Sequence, residues 1–225
     1  MLRCVIFDLD GTILDTLEDL KNSVNTALKQ FGYPLRTIEE VRSFVGNGVY
    51  VLMKKALPSD VDDETFERVF TCFKDNYVQH CADHTAPYPG ISELINGLKE
   101  QGYLLSVVSN KSHREVQILC QQYFPGVFNT VVGQKENIRK KPYPDTVNEV
   151  LKTFGLEPDQ AVYIGDSEVD IQTAENVGMD CVLVSWGFRD IDFLKREGAK
   201  WIVNDTDELM EAICQRSTYE TDIND

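Results

Sequence analysis

Short, nearly continuous apolar runs recur along this chain, and most of them lead directly into a helical pattern. They occupy residues 4–7, 104–108, 130–132, 161–164 and 181–184, with a weaker one at 201–203. A strand that is apolar on both faces must be covered on both faces, and alternating helices supply that cover. The pattern predicts an α/β fold built on a parallel sheet. The helices carry their own boundaries. Ser112 and Glu115 have capping-box spacing, followed by Val116, Leu119 and Cys120 at helical intervals. Pro144 suits a first turn, Val147, Val150, Leu151 and Phe154 form a stripe, and Gly155 can close the helix. Ile171, Ala174 and Val177 repeat the arrangement, ending at Gly178.

The stretch from 15 to 85 breaks the alternation, because it reads as helical throughout. Leu17, Leu20, Val24, Ala27, Leu28 and Phe31 make one stripe, and Thr37 with Glu40 a second capping box. Val49, Leu52, Met53 and Ala56 make another stripe, and Phe66, Val69, Phe70, Phe73 and Tyr77 the last. So much helix is far too long for a simple crossover, so residues 15–85 are expected to form an inserted subdomain. Residues 1–14 and 86–225 would then make the core. The polar, acidic tail from Ser217 to Asp225 is expected to be disordered.

Composition narrows the function classes. The 22 basic residues against 37 acidic ones leave a formal charge of −15. A surface of that sign repels phosphate backbones and anionic lipid, which argues against nucleic-acid and membrane roles. The six cysteines are scattered, without a Cys-x-x-Cys pair or a metal-like grouping with histidine, so they are expected to be reduced and structural. The amino terminus enters an apolar strand at once, leaving no room for a signal peptide, and no apolar run approaches the roughly 20 residues of a membrane span. A soluble, cytoplasmic protein is expected.

The chemistry gathers at the ends of the apolar runs, where open parallel sheets bind ligands. Val5-Ile6-Phe7 runs into Asp8-Leu9-Asp10-Gly11-Thr12. Strand-like alternation lets Asp8 and Asp10 reach the same face with Leu9 turned away. Gly11 permits a tight departure and offers backbone N–H groups to an anion, with Thr12 beside it. The second run ends at Ser109-Asn110-Lys111, where small hydroxyl and amide groups can donate to a phosphoryl oxygen, although Ser-Asn is also turn chemistry. In Arg139-Lys140-Lys141-Pro142-Tyr143-Pro144, the prolines hold Lys141 beside a helix start, which marks it as the site lysine of the three. The fourth run, Val162-Tyr163-Ile164-Gly165, delivers Asp166, and Asp170 follows one helical turn later on the same side.

Charge decides why these groups belong together. Two carboxylates about 5 Å apart repel by roughly 3 kcal/mol at an effective dielectric near 20. A third carboxylate and a phosphate dianion make such a site untenable without counter-charge. A hard divalent cation removes the conflict, and magnesium takes one or two carboxylates together with phosphate oxygens and water. Lys141 would supply the remaining positive charge.

In this order, the DLDGT beginning at Asp8, Ser109-Asn110, Lys141-Pro142 and the G-D-x-x-x-D from Gly165 to Asp170 resemble the four motifs of the haloacid dehalogenase superfamily. The resemblance covers nearly the whole chain, and within the superfamily it is nearest the phosphoglycolate phosphatases, β-phosphoglucomutase and the cytosolic pyrophosphatase type. It implies a Rossmann-like α/β core with an inserted all-helical cap. It also implies a two-step reaction in which Asp8 is the nucleophile. Asp10 would protonate the leaving oxygen and then take a proton from water. Ser109 would bond a phosphoryl oxygen and Lys141 would stabilise the transferring group. Asp8, the main-chain carbonyl of Asp10, and Asp166 would ligate Mg2+, with Asp170 acting through water or by orienting a neighbour. Gly46-Asn47-Gly48, between two cap helices, would recognise the substrate, although those residues also suit a plain helix–helix turn. A small phosphorylated metabolite is the implied ligand, bound by a monomer or a homodimer.

Rival readings are weaker. Expelling halide needs no acid at Asp10, and phosphonate cleavage needs a cap lysine, for which Lys54 and Lys55 sit in an ordinary amphipathic helix. A phosphomutase shares the core chemistry and differs in what the cap recognises. A phospho-accepting signalling module would be roughly half this length and carry no helical insert.

Overall fold

The computed structural model describes residues 1–218. Its strands are β1 (Cys4–Phe7), β2 (Leu14–Asp15), β3 (Ala86–Pro87), β4 (Leu104–Ser112), β5 (Thr130–Gln134), β6 (Ala161–Gly165), β7 (Asp180–Val184) and β8 (Ile202–Val203). Six of them form one sheet in the order β5-β4-β1-β6-β7-β8, with every neighbouring pair parallel. The near-continuous apolar runs are explained by β1. Val5 and Phe7 face one hydrophobic cluster, while Cys4 and Ile6 face another with Val108, Val147 and Tyr163. Period-two alternation thus sends successive residues into two different cores.

Helices cover both faces. On one side lie α5 (Ile91–Glu100), α6 (His113–Tyr123) and α10 (Thr206–Thr218), which supply Ile95, Leu119 and Ile213 to the larger cluster. On the other lie α7 (Asp145–Phe154) and α8 (Glu168–Val177), which supply Val150 and Ala174. The capping signals materialise at both ends of these helices. Ser167 and Asp170 form a reciprocal box at the start of α8, and Gly155 and Gly178 close α7 and α8 in the left-handed conformation. From β1 the chain winds outward through β4 to β5, then returns to β6 on the other side of β1. That reversal opens a crevice at the carboxyl ends of β4, β1 and β6.

Between β2 and β3, which pair antiparallel, run four helices: α1 (Leu17–Gln30), α2 (Ile38–Phe44), α3 (Val49–Ala56) and α4 (Asp63–His80). The Thr37–Glu40 capping box is present at α2. On α4, Phe66, Phe70, Phe73 and Tyr77 stack in a continuous aromatic ladder with centroids 5.7, 6.4 and 5.5 Å apart. The sixth helix of the core, α9 (Ile191–Arg196), is short. Among the described residues, no helix is long and apolar enough to cross a membrane.

One expectation changes. Ser217 and Thr218 belong to α10 rather than to a disordered tail, and the Ser217 hydroxyl pairs with Tyr103 Oη at 2.6 Å. The remainder of that predicted tail, residues 219–225, lies outside the described residues.

The return from α4 to the core is fastened by Asp19, a buried carboxylate of α1. It accepts from the backbone N–H groups of His84 and Thr85, from Thr85 Oγ1 at 2.9 Å, and pairs with His84 Nδ1 at 2.8 Å. Burial raises the Asp19 carboxyl, but these donors outweigh it and hold it below the usual carboxylate range. Its folded pKa is therefore depressed, so its stabilisation exists above the unfolded value of about 3.9 and disappears as pH falls through the folded one. Asp19→Asn should cost about 2–4 kcal/mol in urea unfolding at neutral pH, through unsatisfied buried donors. The deficit should shrink on acidification below pH 4, and a deficit independent of pH would refute the assignment.

Candidate active site

Three adjacent strands deliver the central residues. Asp8 follows β1, Ser109 lies in β4 and Asp166 follows β6, and all three line one cavity. Asp10 lines it too, and Gly46, Gly48, Val49 and Leu52 of the helical insert form its roof.

Lys141 comes from the connection between β5 and α7, yet its side chain is only 2% exposed. Its ammonium lies 3.0 Å from Asp8 Oδ1 and 2.7 Å from Asp170 Oδ1, and donates to Tyr163 Oη at 2.9 Å. Burial pulls the Lys141 ammonium down, but Asp170 and Asp8 more than offset it and keep it charged. Asn110 sets the backbone at this point. Its Oδ1 accepts from Lys141 N–H at 2.8 Å and its Nδ2 donates to Lys141 O and to Gly46 O. Both ends of its carboxamide are thus engaged with the main chain, and Asn110 also lines the cavity, where the sequence predicted a substrate contact.

Asp170 makes bonds through both of its oxygens, the first to Lys141. Its second oxygen accepts from the N–H groups of Asp166 and Ser167 and from Ser167 Oγ at 2.7 Å. Asp166 Oδ2 accepts from Phe188 N–H at 2.6 Å. The packing around these acids requires glycine. At Gly11, φ is +83° and a Cβ would stand 2.5 Å from Asp166 Oδ2, while at Gly165 it would stand 2.3 Å from Asp170 Cγ. Gly11 therefore shapes the site from beneath without lining the cavity.

Thr12 departs further from expectation. It is wholly buried, its hydroxyl has no hydrogen-bond partner among the described residues, and its carbonyl accepts from Trp186 Nε1. The tight turn that begins at Leu9 carries it away from the cavity. Asn47 also falls outside the lining, and its carbonyl accepts from Lys140 Nζ at 2.7 Å. Lys54 sits over the Phe66 ring, with Nζ 3.7 Å from the centroid, which accounts for it within the helical insert.

One oxygen each of Asp8, Asp166 and Asp170 lies within 4.8 Å of the others, and all three residues are buried. Burial, reinforced by Asp170 and Asp10, pushes the Asp8 carboxyl up to about 7 against the pull of Lys141. Burial first, then Asp170 and Asp8, likewise raises Asp166 well above its usual range. Acids so crowded fit a hard cation, which takes oxygen donors and cancels their repulsion. Since both Asp170 oxygens are already engaged, Asp8 and Asp166 are the residues able to hold it.

Sequence reasoning passed over Lys111 and Arg189, which both line the cavity. Lys111 stands two residues after Ser109 in β4, so strand alternation was the available signal. Arg189 follows β7 and spans the crevice, donating to Val45 O at 2.7 Å and pairing with Glu168 at 2.8 Å. In return Arg42 of α2 donates to Gly187 O at 2.6 Å and to Phe188 O.

The sequence model of haloacid dehalogenase-like hydrolases matches residues 5–184. The chain belongs to that family. Among its relatives, a phosphoglycolate phosphatase of Pseudomonas savastanoi pv. phaseolicola is 34% identical over 214 residues, 92% of this chain and 78% of that protein. One of Aquifex aeolicus is 32% identical over 188 residues, covering 83% and 86% respectively. A crystal structure from Lactobacillus delbrueckii subsp. bulgaricus, carrying a provisional phosphoglycolate phosphatase name, is 41% identical with a TM-score of 0.90, covering 94% of this chain and 98% of that one.

For this hydrolase, the raised Asp8 carboxyl has a consequence for stability. Between the unfolded value of about 3.9 and the folded value near 7, the native state holds the extra proton, so this group favours folding less as pH rises. In EDTA-treated protein, the stability of the wild type relative to Asp8→Asn should decline between pH 4 and 7. Urea midpoints across that range measure it, and a difference that rises with pH would contradict the burial of Asp8.

Proposed function

We propose that this hydrolase is a phosphatase, dependent on magnesium, that cleaves a small phosphate monoester through an aspartyl-phosphate on Asp8. The carrying observation is the placement of Asp8. It stands at the floor of the cavity, 3.0 Å from the Lys141 ammonium, with Asp10 lining the same space. A carboxylate beside a fixed cation and a second acid suits in-line attack on phosphorus.

In this reading, an oxygen of Asp8 bonds to phosphorus as the ester P–O bond breaks, and Asp10 gives its proton to the departing alcohol. Asp10 then takes a proton from water, which attacks the aspartyl-phosphate and frees Asp8. Ser109 Oγ, buried at the end of the same cavity, donates to a phosphoryl oxygen. Lys141 offsets charge on the transferring group, and Asp170 fixes Lys141. Magnesium, held by Asp8, Asp166 and the Asp10 carbonyl, would add electrostatic stabilisation of the phosphoryl oxygens. The helices of residues 15–85 act as a cap that excludes bulk water, with the 44–48 loop contributing to substrate choice through Gly46 and Gly48. Asp10 argues against dehalogenation, since halide departs without a proton.

For substrate, the phosphoglycolate phosphatase relatives favour 2-phosphoglycolate over sugar phosphates and pyrophosphate. A screen of small phosphate esters, compared by kcat/KM, tests this, and a preference above ~100-fold for another ester would displace it. Asp8→Asn should remain folded and lose at least ~10³-fold in kcat, because covalent attack is removed. Turnover by the wild type in EDTA, or by Asp8→Asn with magnesium, would refute the mechanism.

A further inference from the structure

Lys111 is a buried cation that the proposed reaction does not use. It is 4% exposed, lines the cavity, and lies on the same strand as Ser109, whose Oγ accepts from Lys111 N–H. Its ammonium donates to Asp10 Oδ1 at 2.8 Å and to the Tyr77 hydroxyl, and stands 4.6 Å from the centroid of the Tyr77 ring. Thr16 Oγ1 donates to the same Asp10 oxygen at 2.6 Å. Asp10 Oδ1 is thus gripped from two directions, and the carboxyl cannot turn without losing both bonds.

Tyr77 is what makes the arrangement specific. It belongs to α4 in the helical insert and is fully buried at the end of the ladder from Phe66 through Phe70 and Phe73. Its hydroxyl therefore has little freedom apart from the helix that carries it. Burial pulls the Lys111 ammonium down, but Asp10, Tyr77 and Glu115 of α6 outweigh that and keep it charged. An ammonium has three N–H donors, and Asp10 and Tyr77 take two in fixed directions.

We propose that Lys111 is a positioning residue for Asp10, orienting its free oxygen toward the leaving group, and that Tyr77 makes this orientation depend on the docking of α4. The inference rests on the phosphatase reading and deepens it. As the ester P–O bond breaks, the leaving oxygen takes the proton from Asp10 Oδ2, and Asp10 remains as a carboxylate bonded through Oδ1 to Lys111 and Thr16. The water of the second step returns a proton to Oδ2. If α4 moves away, Lys111 loses Tyr77 and its ammonium loses one of the two bonds that fix it, so its hold on Asp10 slackens and proton transfer is favoured when the insert is seated.

The test compares an alkyl ester, whose leaving group needs the proton, with p-nitrophenyl phosphate, whose leaving group does not. Lys111→Met should lower kcat for 2-phosphoglycolate by ~10²-fold and for p-nitrophenyl phosphate by less than ~5-fold. Tyr77→Phe, which deletes one hydroxyl, should show the same bias at ~5–10-fold, and decides the question alone if Lys111→Met does not fold. Equal losses on both esters, or undiminished turnover of the alkyl ester, would overturn the proposal. A crystal structure of either variant reads the orientation without any turnover: Asp10 should leave its wild-type rotamer, and an unmoved carboxyl overturns the inference. A wild type inactive on every phosphate ester would instead sink the phosphatase reading, while the rotamer would still judge Lys111.

Discussion

The Lys141 ammonium is the charge around which the site is assembled. It is buried among Asp8, Asp170 and Tyr163, each within 3.0 Å, and comes from a segment far in sequence from the first of them. Removing one partner of a buried pair leaves an uncompensated charge, which costs about 3–5 kcal/mol. The sheet therefore cannot rearrange its three central strands without stranding this cation or its acids. Asp170 extends the constraint, since the carboxylate that holds Lys141 also caps α8 and fixes the backbone N–H groups of Asp166 and Ser167. Structural order and reactive geometry are here the same set of bonds.

Much of this was legible in the sequence, because strand ends in a parallel sheet are also functional positions. Asp8, Ser109 and Asp166 could be placed from the apolar runs preceding them, and Lys141 from the prolines beside it. The helical insert was equally visible, because about 70 residues of helical periodicity cannot fit a crossover. What escaped depended on contacts between remote segments. Asn110 lines the cavity as a polar residue near a strand end could, but the bonds of its carboxamide to the main chain of Lys141 and Gly46 join segments far apart in sequence. Thr12 lay beside the right residues, but the turn after Leu9 points it into the core. No local pattern reports either outcome.

The two bodies of the fold are joined by reciprocal bonds more than by a polar interface of paired charges. Arg189 of the sheet side donates to carbonyls of the insert, and Arg42 of the insert donates to carbonyls at Gly187 and Phe188. Lys140 adds a fifth bond, to Asn47 O. Each uses a cationic donor against a neutral acceptor, so separating one strands a single charge rather than the two of a buried ion pair. Apolar contact adds to them, since one buried cluster joins Leu20, Phe73 and Tyr77 of the insert to Val5, Phe7 and Leu119 of the core.

The charge balance of the cavity also explains how so acidic a chain can accept an anion. Lys111, Lys141 and Arg189 are each matched to carboxylates, namely Asp10, Asp8 with Asp170, and Glu168. Asp166 is offset by the Phe188 N–H, with Arg189 a more distant positive charge. With every acid ionised the set is negative, which is why Asp8 and Asp166 tend to keep their protons, and a phosphate dianion would add to the excess. A divalent cation held by Asp8 and Asp166 would cancel that excess where burial raises both carboxyls. In the proposed reaction, the acids that would repel a phosphate from the crevice are then those that would make it receptive through the cation.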